Sequence, residues 1–276
     1  MPELPEVETT RRHLEAAVVG RRIVSAEIRH PRLARRQDRP ADFSDRIAGR
    51  LVLRIDRIGK LLMKRLDGEV TWVTHLGMSG RVRLVAAGDA EEPHTNVVVR
   101  LDDGNEFRLV DPRTFGFVVA LLPGEPGEGA WTSLGPDALD ALPTSTRLAR
   151  RLAGRSAPIK ALLLDQGFLA GLGNIYADEV LFRAGVSPHR PGGSLSRDEV
   201  ARIRAAIRPV LRAGLRHGGT SLADLAYLLP DGRAGDYLSR LKVYGRVGDP
   251  CRRCGDEIIR TVVRGRSTHW CPRCQT

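Results

Sequence analysis

Lysine is almost missing from this 276-residue chain. It occurs only at Lys60, Lys64, Lys160 and Lys242, although Lys and Arg together number 44 against 33 Asp plus Glu, for a formal charge of +11. A biased coding composition turns surface lysine into arginine, so arginine richness says little, but the excess charge points to a polyanionic partner: nucleic acid or an anionic surface. The lysines that remain mark places where an ammonium is specifically needed. No run of about eighteen apolar residues occurs, so no membrane span is expected. The N-terminus is acidic and lacks a hydrophobic stretch, so no secretory signal is expected, and the expected location is cytoplasmic and nucleoid-associated. Repeats of 20–50 residues are absent. At 42% hydrophobic residues the chain can build a core, and its length suits two modest domains or three small ones.

Cysteine is absent until Cys251. Then Cys251-x2-Cys254 and Cys271-x2-Cys274 follow, with sixteen residues between the pairs. Each CxxC knuckle supplies two thiolates from one tight turn, and two knuckles close a tetrahedron around zinc. Two disulfides would suit a secreted chain instead. The stretches 257–263 and 267–270 read as short strands around a turn at Gly265, flanked by Arg264 and Arg266. Four sulfurs leave no open position, so the zinc is structural and holds a hairpin too small to keep its own core.

The chain starts Met1-Pro2-Glu3-Leu4-Pro5-Glu6-Val7-Glu8. Removal of Met1 exposes the secondary amine of Pro2, which can attack an electrophilic carbon and form an iminium directly. An α-amino group titrates near about 8, against about 10.4 for lysine, so more of it is neutral at pH 7. On these two residues alone, an extended, solvated start to a helix through Val7, His13 and Leu14 is the simpler account.

From about residue 20 to 122 the pattern favours strands. Val52–Ile58 alternates, Leu61–Leu66 runs to a turn at Asp67-Gly68, and 70–76, 81–85, 97–101, 106–110 and 117–122 follow, with a hairpin turn at Asp103-Gly104. Many short strands with turn signals predict a sandwich or barrel. The Pro/Gly-rich stretch 123–129 reads as a surface loop. From about 136 to 217 the pattern turns helical. Pro158 starts a helix over 159–166, and Asn174 opens another that ends at Gly185. Ser196-Arg197-Asp198-Glu199 is a capping box for a third, with a bend at Pro209 and a stop at Gly218-Gly219. Between the first two, Gly171-Leu172-Gly173-Asn174 is either a phosphate-binding turn at a helix N-terminus or a simple tight turn. It lacks the GKS/T ending of a nucleotide-binding loop.

Taken in order, these motifs resemble the formamidopyrimidine-DNA glycosylases over essentially the whole chain. The matching segments are Pro2 to Glu8, Gly59-Lys60, His75-Leu76-Gly77-Met78-Ser79-Gly80, Asp111-Pro112-Arg113-Thr114-Phe115-Gly116, Gly171 to Glu179, Val243-Tyr244-Gly245-Arg246 and the terminal cysteines. The resemblance implies an α+β fold: an N-terminal β-sandwich with an N-terminal helix (2–132), a helix–two-turn–helix domain (133–241) and a zinc-ribbon hairpin (242–276). Damaged double-stranded DNA is the implied partner, bound in a cleft by a monomer, with one structural Zn2+ as the only cofactor.

The chemistry so implied begins with Pro2 nitrogen attacking C1′ of the damaged nucleoside and displacing the base. Glu3 is the acid/base carboxylate at the sugar. The Schiff base then permits β- and δ-elimination of the strand. Lys60 corresponds to a proton donor, Arg266 to an arginine that holds the lesion phosphates during δ-elimination, and Glu6 to a further acidic residue near the site. The damaged nucleotide must be flipped out of the duplex. Met78, Arg113 and Phe115 correspond to the wedge that fills the gap, although without the resemblance Met78 and Phe115 read as core packing. His94, Arg155, Lys160 and Asn174 correspond to residues that hold backbone phosphates, which position the protein without reading sequence.

Thr114 stands where many members of this family carry a second arginine. The stretch 221–238 corresponds to a variable loop that closes over the flipped base. A sister type, endonuclease VIII, prefers oxidised pyrimidines and usually starts Pro-Glu-Gly-Pro, whereas Leu4 and the Met78/Arg113/Phe115 set favour the oxidised-purine enzyme. Two non-catalytic alternatives are a dead damaged-DNA binder and a zinc-ribbon nucleic-acid binder. The first leaves Pro2, Glu3, Lys60 and Arg266 without a purpose, and the second leaves the N-terminus unexplained.

Overall fold

A computed structural model describes residues 2–125, 133–222 and 227–276. Met1, the 126–129 part of the Pro/Gly-rich stretch and residues 223–226 of the expected closing loop lie outside the described residues. The chain packs as two compact units. One contains the chain up to residue 132 together with His217–Leu238; the other contains Ser133–Arg216 and Ser239–Thr276. The expected boundaries put 217–238 with the helices, whereas in packing it returns to the first unit.

The first unit opens with helix α1 (Leu4–Val18), then β1 (Ile23–Ile28) and α2 (Pro40–Ile47). Strands β2 (Val52–Ile58), β3 (Leu61–Leu66), β4 (Thr71–His75) and β8 (Phe117–Leu121) form one antiparallel sheet in the order β2-β3-β4-β8. Strands β5 (Arg81–Ala86), β6 (Thr95–Leu101) and β7 (Asn105–Val110) join β1 in a second, ordered β1-β6-β7-β5. Both sheets and both helices contribute to a single core. Trp72 lies at its centre, edge-on to Phe43 of α2 at 5.8 Å and to Phe107 of β7 at 4.9 Å.

The expected strands all form. Strand β1 and helix α2 are additions to the expected set. Helix α2 has Pro40 at its first turn and a side-chain contact from Asp42 to the Arg39 amide, and it buries only Phe43 and Ile47.

The second unit holds α3 (Ser145–Leu152), α4 (Ile159–Leu164), α5 (Asn174–Ala184) and α6 (Arg197–Arg216), followed by the hairpin β9 (Ile259–Val263) and β10 (Arg266–Trp270). Helix α4 stops two residues earlier than its apolar run suggests, because Asp165 leaves the helix and its carboxylate accepts the Gly167 amide at 2.9 Å. The α6 capping box is present: Ser196 N donates to Glu199 Oε2 at 2.7 Å, and Glu199 N donates to Ser196 Oγ at 3.2 Å. Gly185 ends α5 in the left-handed conformation. No helix among the described residues is long and apolar enough to cross a membrane.

Candidate active site and nucleic-acid interface

In the first unit the N-terminus is built into the fold rather than trailing from it. Pro2 is buried, and Glu3 and Glu6 are each 1% exposed. Glu3 is the N-cap of α1, and the Glu6 carboxylate reaches back to the Glu3 amide at 2.9 Å. The second Glu6 oxygen accepts the Thr220 amide at 2.8 Å, and the Glu6 carbonyl accepts the Thr10 and Tyr227 hydroxyls at 2.9 and 3.3 Å. One carboxylate thus fixes both the residue after Pro2 and the start of the 217–238 segment. Gly219 makes this approach feasible: it has φ +85°, and a Cβ there would lie 2.8 Å from Glu6 Cγ and Oε1.

Helix α1 packs on β2 and β3, and the tight turn joining those strands carries Lys60. Lys60 is 8% exposed. Beside it the buried Arg57 bridges Glu8 Oε2 at 3.2 Å and the Gly59 carbonyl at 2.9 Å, which braces the turn against the helix. At the end of β4, His75 Nδ1 accepts the Gly77 amide at 3.0 Å, leaving Nε2 as the ring's donor. Burial, then the nearby charges of Lys60, Arg36 and Arg35, push the His75 pKa down to about 4, so the ring is neutral at physiological pH.

The expected wedge residues come together on two loops. Met78 is half-buried, and Arg113 and Phe115 are exposed, Phe115 by 38%. They are not core residues, and the Arg113 guanidinium lies 4.7 Å from the Phe115 ring centre. Buried Asp111 welds the loops: its carboxylate accepts Ser79 Oγ at 2.7 Å and Gly116 N at 2.8 Å. The backbone approach is so close that a Cβ on Gly77 would sit 2.4 Å from Gly116 N. His94 is exposed at a left-handed backbone position (φ 67°), and its carbonyl accepts the Asp111 amide at 3.0 Å. Asp111 was present in the sequence motif, but only its burial reveals the organising role.

In the second unit, Asn174 is the first residue of α5 and its Nδ2 meets Ser267 Oγ of β10 at 3.3 Å. The preceding turn is braced by Gln166, which accepts the Gly171 amide at 2.9 Å and donates to the Leu172 carbonyl at 2.8 Å. Arg155 is exposed beyond α3. Arg266 is exposed at the first position of β10 and makes no side-chain hydrogen bond or ion pair with any described residue.

Lys160 does not fit the expected phosphate contact. It is 0% exposed, and its ammonium is consumed internally by Asp178 Oδ1 at 2.7 Å, the Ser267 carbonyl at 2.7 Å and Thr268 Oγ1 at 2.9 Å. A long apolar stem carries the charge inward from the start of α4, where Asp178 of α5 awaits it. Asp178 Oδ2 in turn accepts the His269 amide at 2.9 Å. The neighbouring Glu179 accepts the amides of Lys242, Val243 and Tyr244 at 2.9–3.1 Å. Two consecutive buried carboxylates on α5 therefore anchor the hairpin strand and the 242–244 turn.

The four cysteine sulfurs lie within 4.8 Å of one another, with Cys251–Cys274 at 3.9 Å and Cys254–Cys271 at 3.5 Å. A zinc–sulfur bond of about 2.3 Å requires tetrahedron edges of about 3.8 Å, so the donors fit zinc and are too far apart for disulfides. These sulfurs hold one structural zinc ion. They pack with Val243, Ile258 and Phe182, the last of which joins the metal site to α5.

The fold and site are those of a sandwich that buries an N-terminal proline–glutamate pair, with a separate helical unit that carries a zinc ribbon, an arrangement that belongs with DNA-repair proteins by its similarity to known families. The chain matches the model of the formamidopyrimidine-DNA glycosylase N-terminal domain over residues 1–118 and that of the corresponding H2TH domain over 134–225. A third model, a zinc finger found in FPG and IleRS, matches 248–276. It is 46% identical to the formamidopyrimidine-DNA glycosylase of Moorella thermoacetica, over 94% of each chain, and 44% identical to that of Heliobacterium modesticaldum, over the full length of both. Among solved structures it is similar to the MutM (Fpg) protein of Thermus thermophilus, with TM-score 0.89 and 42% identity over 99% of this chain and 98% of that one. A Lactococcus lactis Fpg mutant in complex with Fapy-dG-containing DNA gives TM-score 0.92 and 31% identity over the full length of both. The chain belongs to the formamidopyrimidine-DNA glycosylase family.

Proposed function

We propose that this protein is a bifunctional DNA glycosylase and AP lyase of base excision repair that removes oxidised purines, 8-oxoguanine and formamidopyrimidines, from duplex DNA. The observation that carries the reading is Pro2-Glu3 heading a buried, capped helix in a chain whose whole length belongs to this family. With Met1 removed, Pro2 nitrogen attacks C1′ and the base departs with the electrons of its glycosidic bond, leaving an aminal. The amine then gives up its proton, the C1′–O4′ bond breaks with its electrons and a proton going to O4′, and the ring-opened iminium results. Glu3 shuttles protons at the sugar, and Lys60 donates one. Loss of the C2′ proton expels the 3′ phosphate, and a second elimination expels the 5′ phosphate, whose charge Arg266 neutralises.

Met78 fills the vacated stack, Phe115 wedges beside the orphaned base and Arg113 donates to it. The exposure of Arg113 and Phe115, with Met78 half-buried beside them rather than in the core, supports this use, since side chains committed to a core are not free to enter DNA. His94, Arg155 and Asn174 hold backbone phosphates, and Lys160 acts as a positioning residue through Ser267, which Asn174 also contacts. The enzyme works as a monomer, in the cytoplasm on the nucleoid. Lactococcus lactis Fpg has been captured with Fapy-dG, abasic-site and oxidised-pyrimidine DNA, so lesion preference is to be measured directly.

Borohydride reduction with an 8-oxoguanine duplex tests the chemistry. Protein lacking Met1 should form a covalent adduct, and Pro2→Gly with an added preceding residue should not. Failure of the processed protein to trap refutes the lyase reading, and trapping that survives the blocked N-terminus identifies another amine as nucleophile. Equal excision of a pyrimidine glycol and 8-oxoguanine refutes the purine assignment.

A further inference from the structure

Beside the wedge loop, three arginines fall within five residues: Arg32, Arg35 and Arg36. Arg35 is spent on the backbone, donating to the Gly116 carbonyl and, at 3.0 Å, to the Phe115 carbonyl. Arg36 lies 3.9 Å from the Phe117 ring centre and Arg32 lies 5.9 Å from that of Phe115. Neither guanidinium forms an ion pair or side-chain hydrogen bond with any described residue. The nearby carboxylate, Asp111, is buried and already committed to Ser79 and Gly116.

Elsewhere on this chain arginines routinely find partners, as Arg29 does with Glu27 and Glu91, and Arg46 with Glu125. Arginines held together without a carboxylate repel one another. Burial, then Arg36 and Arg32, lower the pKa of Arg35, and burial lowers that of Arg36. An arrangement of this kind is stabilised by an external anion, and a planar fork stacked on an aromatic ring is pre-organised to receive a phosphate.

The geometry points to a phosphodiester-binding site formed by Arg32 and Arg36, which grips the DNA strand opposite the lesion. It rests on the proposed function in one respect. Arg35 ties this cluster to the loop that presents Arg113 and Phe115 to the orphaned base, so the nearest backbone is that of the orphaned base's own strand.

The test is the salt dependence of binding to undamaged duplex by Arg32→Gln, Arg36→Gln and the double variant, with Arg36→Lys as a control that keeps the charge. Each lost phosphate contact should reduce the slope of log K against log[salt] by about 0.9, equivalent to roughly three- to fourfold in affinity between about 50 and about 200 mM salt. The double variant should lose about twice that, and Arg36→Lys little. Replacing single phosphates by methylphosphonates should then locate the contact: a neutral phosphate on the opposite strand weakens the native protein and leaves the double variant unaffected. An unchanged slope in the double variant, or a contact that maps to the lesion strand, overturns the proposal. Borohydride trapping is scored separately on the native protein, so absence of lyase chemistry is distinguishable from absence of this site.

Discussion

Replacing Lys160 by Met should destabilise the second unit without weakening its electrostatic hold on DNA. The ammonium is fully buried and has three oxygens at 2.7–2.9 Å, one of them charged. Met fills a similar stem volume but leaves the Asp178 carboxylate buried opposite a methyl group. Breaking a buried pair from one side costs about 3–5 kcal/mol, because a charge is stranded, whereas removing both partners costs much less. Lys160→Met and Asp178→Asn should therefore each lower unfolding stability by about 3 kcal/mol, and the double variant should recover at least about 3 kcal/mol of their sum, so that it is no less stable than either single variant. The pair also joins α4 and α5 to residues 267 and 268 of β10, so the loss should appear first as easier zinc release from the hairpin.

Urea unfolding of the four proteins of the double-mutant cycle, followed by a colorimetric zinc indicator, measures both effects. A phosphate contact predicts something different: Lys160→Met would retain stability and reduce the salt slope of DNA binding by about 0.9. That outcome would refute the buried-pair argument and reinstate Lys160 as a DNA ligand.

Two other residues carry predictions of a different kind. Burial with no carboxylate against it pushes the Lys64 ammonium well below the usual lysine range; its partners are Thr74 Oγ1 at 2.6 Å and the Trp72 and Phe107 rings. The unfolded chain therefore binds a proton more readily, and stability rises with pH from the lowered folded value up to about 10.4. Lys64→Met should flatten this rise in urea titrations at pH 6, 7.5 and 9 and stabilise the protein at the lowest; identical slopes for the two proteins count against it. Gly219→Ala should break the Glu6 clamp, since a left-handed alanine costs about 1–2 kcal/mol before the clash with Glu6 is counted. Faster hydrogen exchange at the Thr220 amide together with slower base excision is expected, and an unchanged exchange rate would show that the clamp tolerates a Cβ.

The elements legible in the sequence are those whose signal is local. Alternation in β2 and short apolar runs between turn signals exposed the strands from β2 to β8, Ser196 and Glu199 announced the α6 cap, and cysteine spacing announced the metal site. Strand β1 is less legible because Ser25 and Ala26 interrupt its apolar pattern and Val24 is 60% exposed. The return of 217–238 to the first unit depends on Glu6 accepting a hydrogen bond from a residue 214 positions away, which no local pattern encodes. Burial of charge was equally hidden. Asp111, Asp178 and Glu179 look like surface acids in the sequence, and each instead organises backbone amides: those of Gly116, His269 and 242–244 respectively. For Glu179 burial raises the pKa while three amide donors oppose the rise, as expected of a carboxyl group used as a structural acceptor.

The scarcity of lysine acquires a physical meaning from these placements. Lys60, Lys64 and Lys160 are 8%, 1% and 0% exposed, while Lys242 alone lies at the surface. Arginine covers the exterior, where its fork caps carbonyls such as those of Gly167, Ala184, Pro143 and Leu139. A guanidinium cannot replace the buried ammonium groups. Around Lys160 three oxygens converge on a single nitrogen, and around Lys64 two ring faces and one hydroxyl leave room for a compact head alone. A composition that drives exposed lysine to arginine thus leaves behind the positions where head-group shape decides. Lys60, buried in a turn braced by Arg57 and packed against the helix that begins at Glu3, is where that same constraint coincides with the proposed chemistry.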